Sequence, residues 1–341
     1  MIKFFFGLLF SFVIAGSYAQ EKSQKIALVV HGGAGMIKKE NMSDKQEKAY
    51  QDKINEALKA GYRVLERGGS SIDAVTAAIL VMENSPLFNA GKGAVFTYAE
   101  TNEMDASIMD GETLAAGAVA GVTNIKNPIL AALAVKDHSA HVMMAGKGAE
   151  KFAQEQGLEI VDPSYFKDEN KLNQLRRIKE KEKTELDHSG QQGYRETDPV
   201  FHDRKFGTVG AVAVDRKGNL AAGTSTGGMT NKKYGRVGDA PIIGAGTYAE
   251  NASCGVSATG HGEIFMRAVV AYDIAALMKY KNLSVQEAAE EVVMKKLVQL
   301  KGEGGVIAMD KYGNIAMPFN SAGMYRGYIK EGEQPVVLMY K

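Results

Sequence analysis

Three places in the 341-residue chain combine residue types that could do chemistry. The first is Phe206-Gly207-Thr208-Val209-Gly210. Three segments rich in glycine and hydroxyl side chains follow it: Gly223-Thr224-Ser225-Thr226-Gly227-Gly228, Gly235-Arg236-Val237-Gly238-Asp239 and Ala258-Thr259-Gly260-His261-Gly262. Threonine hydroxyls and backbone N–H groups without bulky side chains are what acyl transfer needs, as nucleophile and as cradle for the oxyanion. Arg236 and Asp239, three residues apart, suit a zwitterionic substrate, the guanidinium taking a carboxylate and the carboxylate an ammonium. A Gly-Thr entering a strand is commonplace by itself. Its setting gives it weight.

The second place is Ile242-Ile243-Gly244-Ala245-Gly246-Thr247-Tyr248-Ala249, whose glycines are spaced like a dinucleotide fingerprint, with Glu263 near the distance of a ribose-binding acid. A helix should follow such glycines at once, yet only Tyr248 to Ala252 precede the next strand-like run at Gly255 to Ala258, and Glu263 falls in a helical stretch. No dinucleotide is expected. The third is histidine. The six histidines are scattered singly, and no His/Cys/Asp/Glu set has metal-ligand spacing. His31 and His261 lie in glycine-rich turns where they could line a pocket, although packing or hydrogen bonding is the simpler reading. There is no Gly-x-Ser-x-Gly elbow. Cys254, the only cysteine, cannot pair within its own chain and reads as a small buried residue.

These segments need elements to hold them. Ile26 to Val30 reads as a buried strand running into His31-Gly32-Gly33-Ala34-Gly35. Ser43 with Gln46 resembles a capping box opening a helix that Gly68-Gly69 stops, and a second helix fits Ser71 to Glu83. Pro86 to Gly93 is a compact loop, and Asn127-Pro128 starts another helix. A charged linker occupies about 160–206, densest from Lys167 to Lys205; such composition suits a solvated helix or a mobile connection. Order returns at Thr208. Val209 to Val214 and Leu220 to Thr226 form a hairpin around Asp215, and Val306 to Asp310 with Ile315 to Phe319 repeats the device. Helices are expected over Glu263 to Tyr280 and Ser284 to Leu300. Stacked antiparallel sheets covered by helices suit this order better than alternating parallel units.

Composition sets outer bounds. The chain is 45% hydrophobic and 24% charged with net charge +1, which argues against a nucleic-acid surface. Met1-Ile2-Lys3, the apolar run Phe4 to Ala15 and Ser17-Tyr18-Ala19 read as a secretory signal over residues 1–19, too short for a comfortable membrane span. The expectation is export, to the periplasm or beyond, with no lipid or membrane anchor.

The chain resembles the plant-type (type 2) L-asparaginase and isoaspartyl peptidase family of N-terminal-nucleophile hydrolases. The resemblance rests on His31-Gly32-Gly33-Ala34-Gly35, Pro86-Leu87-Phe88-Asn89-Ala90-Gly91, Met104-Asp105-Ala106, Met109-Asp110-Gly111, Gly117-Ala118-Val119-Ala120-Gly121-Val122 and nearly everything from Gly207 to Arg326. It implies an α+β fold, a four-layer αββα sandwich made as one domain from residues 20–207 and 208–341 after cleavage between Gly207 and Thr208. It implies Thr208 as nucleophile, Thr226 beside it, and Thr259 and Gly260 as oxyanion hole. Arg236 and Asp239 would hold the substrate's α-carboxylate and α-amine, with Val237, Gly238, His261 and Gly262 shaping the pocket and Asn89 at the active site. No catalytic cofactor is expected. A sodium ion is implied on the backbone carbonyls of Met82, Glu83, Ser85, Phe88, Ala90 and Lys92, and a dimer of αβ heterodimers as the assembly. A freed Thr208 amine, of reference pKa about 7.7–8.0, would serve as base.

The implied activity is hydrolysis of β-aspartyl dipeptides and L-asparagine; glycosylasparaginase of the same fold and an uncleaved binding protein are the alternatives. Gly227-Gly228-Met229-Thr230-Asn231-Lys232 resembles the isoaspartyl peptidase branch, and Gly227 and Gly228 are expected to leave room for a peptide leaving group. His261 replaces the small hydroxyl residue common at that position.

Overall fold

The computed structural model describes residues 25–188 and 207–341, with side chains of 183–188 left aside. The signal segment and residues 189–206 of the linker lie outside the described residues.

In chain order the strands are β1 (Ala27–Gly35), β2 (Met104–Asp110), β3 (Ala116–Val122), β4 (Met143–Ala145), β5 (Val209–Val214), β6 (Leu220–Thr226), β7 (Thr247–Ala249), β8 (Cys254–Gly260), β9 (Gly304–Asp310), β10 (Ile315–Ala316), β11 (Gly323–Lys330) and β12 (Val336–Tyr340). They form an eight-stranded sheet, β12-β11-β1-β5-β6-β2-β3-β4, and a four-stranded sheet, β10-β9-β8-β7. Every pairing is antiparallel except the edge pair β3–β4. β1 and β5 are buried on both faces, which is why their sequences are aliphatic without alternation.

Helices α1 (Asp44–Glu66), α2 (Ser71–Glu83) and α3 (Pro128–His138) cover the outer face of the large sheet, and α4 (Gly146–Glu155) packs on its β3–β4 edge. The capping box expected at Ser43 forms: its hydroxyl accepts from Gln46 N, and the Gln46 side chain accepts from Ser43 N. α5 (Glu169–His188) lies in the charged segment. It is more than a solvated run, because Leu172, Leu175 and Ile178 turn one face inward and the first two pack with Phe96. The helix expected over Glu263 to Tyr280 is two, α6 (Gly262–Ala268) and α7 (Val270–Lys281), broken where Val269 takes φ 49°. α8 (Val285–Glu290) continues through a π turn at Glu291–Lys296 to Gln299. α7 and α8 cover the small sheet, completing the αββα order.

The two hairpins use the same turn. Asp215 Oδ1 accepts from the N–H groups of Lys217 and Asn219, and Asp310 Oδ1 from those of Tyr312 and Asn314. A side-chain acceptor reaching two and four residues ahead sets the turn without help from the rest of the fold. Cys254 is fully buried on β8, where burial pushes its thiol far up.

Between the sheets, Val29, Val212, Ala222, Ile307 and Met309 form an apolar layer. A buried polar chain crosses the same layer. His31 Nε2 lies 2.9 Å from Ser257 Oγ, Ser257 2.6 Å from Thr224 Oγ1, Thr224 2.5 Å from Thr247 Oγ1, and Thr247 2.8 Å from Ser107 Oγ. Ser107 ends the chain by donating to the Ala240 carbonyl at 2.6 Å. Unpaired hydroxyls would be costly in so dry a layer, so each is hydrogen-bonded to the next.

Burial lowers the His31 imidazole to about 3, so it stays neutral in the folded chain where the unfolded chain is protonated below about 6.5. The unfolded state therefore binds the extra proton, and stability falls as pH drops from 6.5 towards 3. Denaturant unfolding of wild type and His31→Gln should show the wild type losing about 2 kcal/mol more between pH 7 and pH 5. Parallel losses in both proteins would contradict a neutral buried His31.

Candidate active site

Thr208 precedes β5 and Thr226 ends β6. The pairing Val209↔Ser225 sets the two threonines side by side, with Thr208 Oγ1 donating to Thr226 Oγ1 at 3.1 Å. The Thr226 hydroxyl in turn donates to the Gly207 carbonyl at 2.9 Å and accepts from Gly228 N at 3.0 Å. Asn89 supplies a second donor to that carbonyl, its Nδ2 standing 2.8 Å from Gly207 O. The peptide oxygen before Thr208 thus sits between an amide N–H and a hydroxyl, both aimed by other bonds.

Asn89 itself is saturated. Nδ2 also donates to Gly228 O at 2.7 Å, Oδ1 accepts from Val95 N at 2.9 Å, and its main-chain carbonyl accepts from Gly227 N at 3.0 Å. Such closeness needs glycine. Gly33 has φ 110°, and a Cβ there would stand 3.1 Å from Gly207 Cα. At Gly207 a Cβ would meet the Asn89 Cβ at 2.9 Å, and at Gly227 the Asn89 Oδ1 at 2.5 Å and Ala94 at 2.8 Å. Gly228, at φ 77°, lies over the Lys232 ammonium. The space beside Gly227 and Gly228 is therefore filled from within the chain. The sequence-based expectation that these glycines leave room for a leaving group is corrected: they admit Asn89 and Lys232.

Arg236 and Asp239 meet around Gly262. A Cβ on Gly262 would lie 2.7 Å from Arg236 Nη2 and 3.0 Å from Asp239 Oδ1. Half-buried Val237 and buried Gly238 connect them, and Gly238 lies against the guanidinium, a Cβ there falling 2.9 Å from Nη1. Arg236 is held by Glu263, with Nε 2.8 Å from Oε1 and Nη2 2.9 Å from Oε2. Glu263, on the first turn of α6, is a site residue the sequence reading passed over, since it was weighed there only as a ribose ligand. Asp239 has no such partner. Its Oδ2 is buried without a hydrogen bond among the described residues, and burial pushes the carboxyl up to about 7 against the pull of Arg236.

Thr259 and Gly260 close β8 in the other sheet. Thr259 Oγ1 accepts from Ala34 N at 3.4 Å, one residue from the Gly33 that backs Gly207. Gly260 pairs with Gly304, and a Cβ there would strike the Glu303 carbonyl at 2.4 Å. His261 precedes α6 and its Nδ1 accepts from Glu303 N at 3.4 Å, which directs that nitrogen toward the chain.

Two buried charges near the threonines were not singled out for their side chains. Glu83 accepts from Ser225 Oγ (2.6 Å), Ile129 N (3.0 Å) and Asn127 Nδ2 (3.1 Å), yet burial still pushes its carboxyl up to about 7. Lys232, almost fully buried, donates to the Glu103 carbonyl at 3.0 Å. Only their contacts across the fold mark them, so spacing along the chain carried no signal.

The model of the asparaginase family matches residues 24–339. The chain belongs to that family. Membership makes it an amidohydrolase with an N-terminal-nucleophile fold, in keeping with the four layers described above. It is 52% identical over 317 residues to the isoaspartyl peptidase of Escherichia coli (strain K12), covering 93% of this chain and 97% of that one. It is 41% identical to the isoaspartyl peptidase/L-asparaginase of Mus musculus, covering 90% and 89%. The plant-type L-asparaginase of Pyrococcus abyssi is also 41% identical, over 90% of this chain and 97% of that one.

In this asparaginase-family chain, removing the Asn89 side chain takes a partner from the buried Gly228 carbonyl and Val95 N–H and leaves the Gly207 carbonyl with the Thr226 hydroxyl. Asn89→Ala should lower the unfolding free energy by about 2–4 kcal/mol, several lost bonds at about 1 kcal/mol each. Urea titration of the variant checks this; a midpoint equal to that of wild type would show that the three side-chain bonds do not hold the loop.

Proposed function

We propose that this chain hydrolyses β-aspartyl peptides and L-asparagine to release L-aspartate, after cutting itself between Gly207 and Thr208. The observation that carries the reading is the double grip of Asn89 Nδ2 and Thr226 Oγ1 on the Gly207 carbonyl, with the Thr208 hydroxyl bonded to that same Thr226. The names of the relatives supply the substrate class.

In self-cleavage, Thr208 Oγ attacks the Gly207 carbonyl carbon, and the charge on its oxygen is met by the Asn89 and Thr226 donors. The C–N bond breaks, the hydroxyl proton ends on the departing Thr208 nitrogen, and water opens the resulting ester. The product carries a Gly207 carboxylate and a Thr208 amine. That amine then removes the Thr208 hydroxyl proton as the same oxygen attacks the substrate's side-chain amide carbon. The proton passes to the departing amine as the C–N bond breaks, and water opens the aspartyl ester to release L-aspartate and restore the Thr208 hydroxyl. Arg236 receives the α-carboxylate while Glu263 keeps its guanidinium in place, and Asp239 receives the ammonium. Thr259 and Gly260 are assigned the second oxyanion hole.

A sodium ion on the carbonyls of Met82, Glu83, Ser85, Phe88, Ala90 and Lys92 belongs to the same proposal. The donors fit in kind: Gly91, at φ 50°, turns the loop until a Cβ there would lie 2.5 Å from the Glu83 carbonyl. Such an ion supplies positive charge that keeps the loop curled and takes no part in bond making. A dimer of αβ heterodimers and export directed by residues 1–19 complete the reading.

Thr208→Ala is expected to remain one chain and to release no aspartate, whereas Thr208→Ser keeps part of both functions. Intact mass, with aspartate release from β-aspartyl-leucine, L-asparagine and N-acetylglucosaminyl-asparagine, is the test. Normal cleavage of the alanine variant would remove the mechanism. A clear preference for the glycosylated substrate would move the chain to glycosylasparaginase, and one uncut, inactive wild-type chain would make it a binding protein.

The pH profile follows from two groups that must both lose protons. Below about 7 Asp239 is protonated and cannot hold an ammonium, and an α-amine such as that of Thr208, of reference pKa about 7.7–8.0, is charged there and cannot act as base. The logarithm of kcat/KM should thus rise through the acid range with a slope near 2, because that parameter reports the free enzyme. A slope of about 1 or less would show that one of these ionisations does not govern turnover.

A further inference from the structure

The Lys171 ammonium sits on the main chain of the loop that carries Asn89. It donates to the carbonyls of Pro86 at 3.1 Å, Phe88 at 3.5 Å, and Gly93 in a close contact. Pro86 and Phe88 precede Asn89 and Gly93 follows it, so one cation ties both flanks of the residue that grips Gly207. The fit is tight, since a Cβ on Gly93 would stand 1.9 Å from Phe88 O, 2.9 Å from Pro86 O and 3.0 Å from Lys171 Nζ.

The carrier of this ammonium is itself fixed. Lys171 N donates to Asp168 Oδ1 at 3.0 Å at the start of α5. Beyond it, Leu172 and Leu175 pack with Phe96, and Arg176 and Lys179 reach Glu100 at 3.4 and 3.2 Å. α5 is therefore docked along the same chain segment that begins with the Asn89 loop, and it leads into the residues that precede Gly207. Carbonyl oxygens turned toward one point repel each other. A positive charge among them removes that repulsion, as bound ions do in carbonyl-lined sites. Only Phe88 O is shared with the six carbonyls assigned above to sodium, so the ammonium marks a second, tethered cation position on the loop.

We propose that Lys171 is a positioning residue for self-cleavage: a tethered cation that holds the 86–93 loop so that Asn89 Nδ2 faces the Gly207 carbonyl. Lys171 touches no reacting atom. The proposal rests on the self-cleavage reading for its rate effect, and on the carbonyl contacts alone for its effect on the loop.

The test compares wild type, Lys171→Ala and Lys171→Met as full chains. Self-cleavage is followed by mass, and amide exchange is read over residues 86–95. Both variants should cleave about tenfold or more slowly than wild type, because a small misplacement of an oxyanion donor costs that much. Amides of the loop should exchange faster in both. Ammonium or methylammonium added to Lys171→Ala should restore rate and protection, by filling the space left by the side chain. Tetramethylammonium, which has no N–H to donate, should not. Lys171→Met, whose stem keeps that space occupied, should gain nothing from either. Unchanged cleavage and exchange in both variants overturn the proposal, and so does a loss in Lys171→Ala that no amine relieves. If the wild type itself never cleaves, the self-cleavage reading fails, while the exchange comparison still decides whether Lys171 holds the loop.

Discussion

The carbonyl oxygen of Gly207 is the point around which the site is assembled. It accepts from a side chain of the loop after α2 and from a side chain at the end of β6, while β1 passes behind it through Gly33. Holding one main-chain oxygen by two donors, with β1 packed against the Cα beside it, forces three backbones into a space that Cβ atoms would fill. The absence of side chains at Gly33, Gly207 and Gly227 follows from that constraint. The four hydrogen bonds of Asn89 serve the same end, because a buried amide with all its donors and acceptors engaged has one orientation.

Charge near this point is managed by burial and contact together. Asp239 keeps an unpaired buried oxygen, Glu83 collects three donors, and Arg236 is already bridged by Glu263. A buried acid without a fixed cation has a raised pKa, which makes the Asp239 position sensitive to an arriving ammonium. Arg236 is the opposite case, since its orientation is set before any ligand arrives. The hydroxyl chain from His31 to Ser107 binds the two sheets by the same logic, with each hydroxyl hydrogen-bonded to the next inside an apolar layer.

Much of this was written locally. The capping box at Ser43 and the Asp-led turns of both hairpins are short-range effects that need only neighbouring residues. The glycine- and threonine-rich segments marked the region of the site for a similar reason, because close backbone approach and clustered hydroxyls leave a compositional trace. The charged segment misled in part. Leu172, Leu175 and Ile178 are too few among charges to announce a packed helix, and the first two pack on Phe96, far away in sequence.

The sequence by itself determined β1, the hairpins β5–β6 and β9–β10, the helices α1, α2 and α3, the family, and the identity of Thr208, Thr226, Arg236 and Asp239 as candidate site residues. The tertiary structure alone decided who meets whom. That Glu263 rather than Asp239 pairs with Arg236, that Gly227 admits Asn89 rather than a ligand, and that Lys171 caps carbonyls about eighty residues earlier are long-range contacts. Local spacing cannot encode them, because they join segments that only the folded chain brings together.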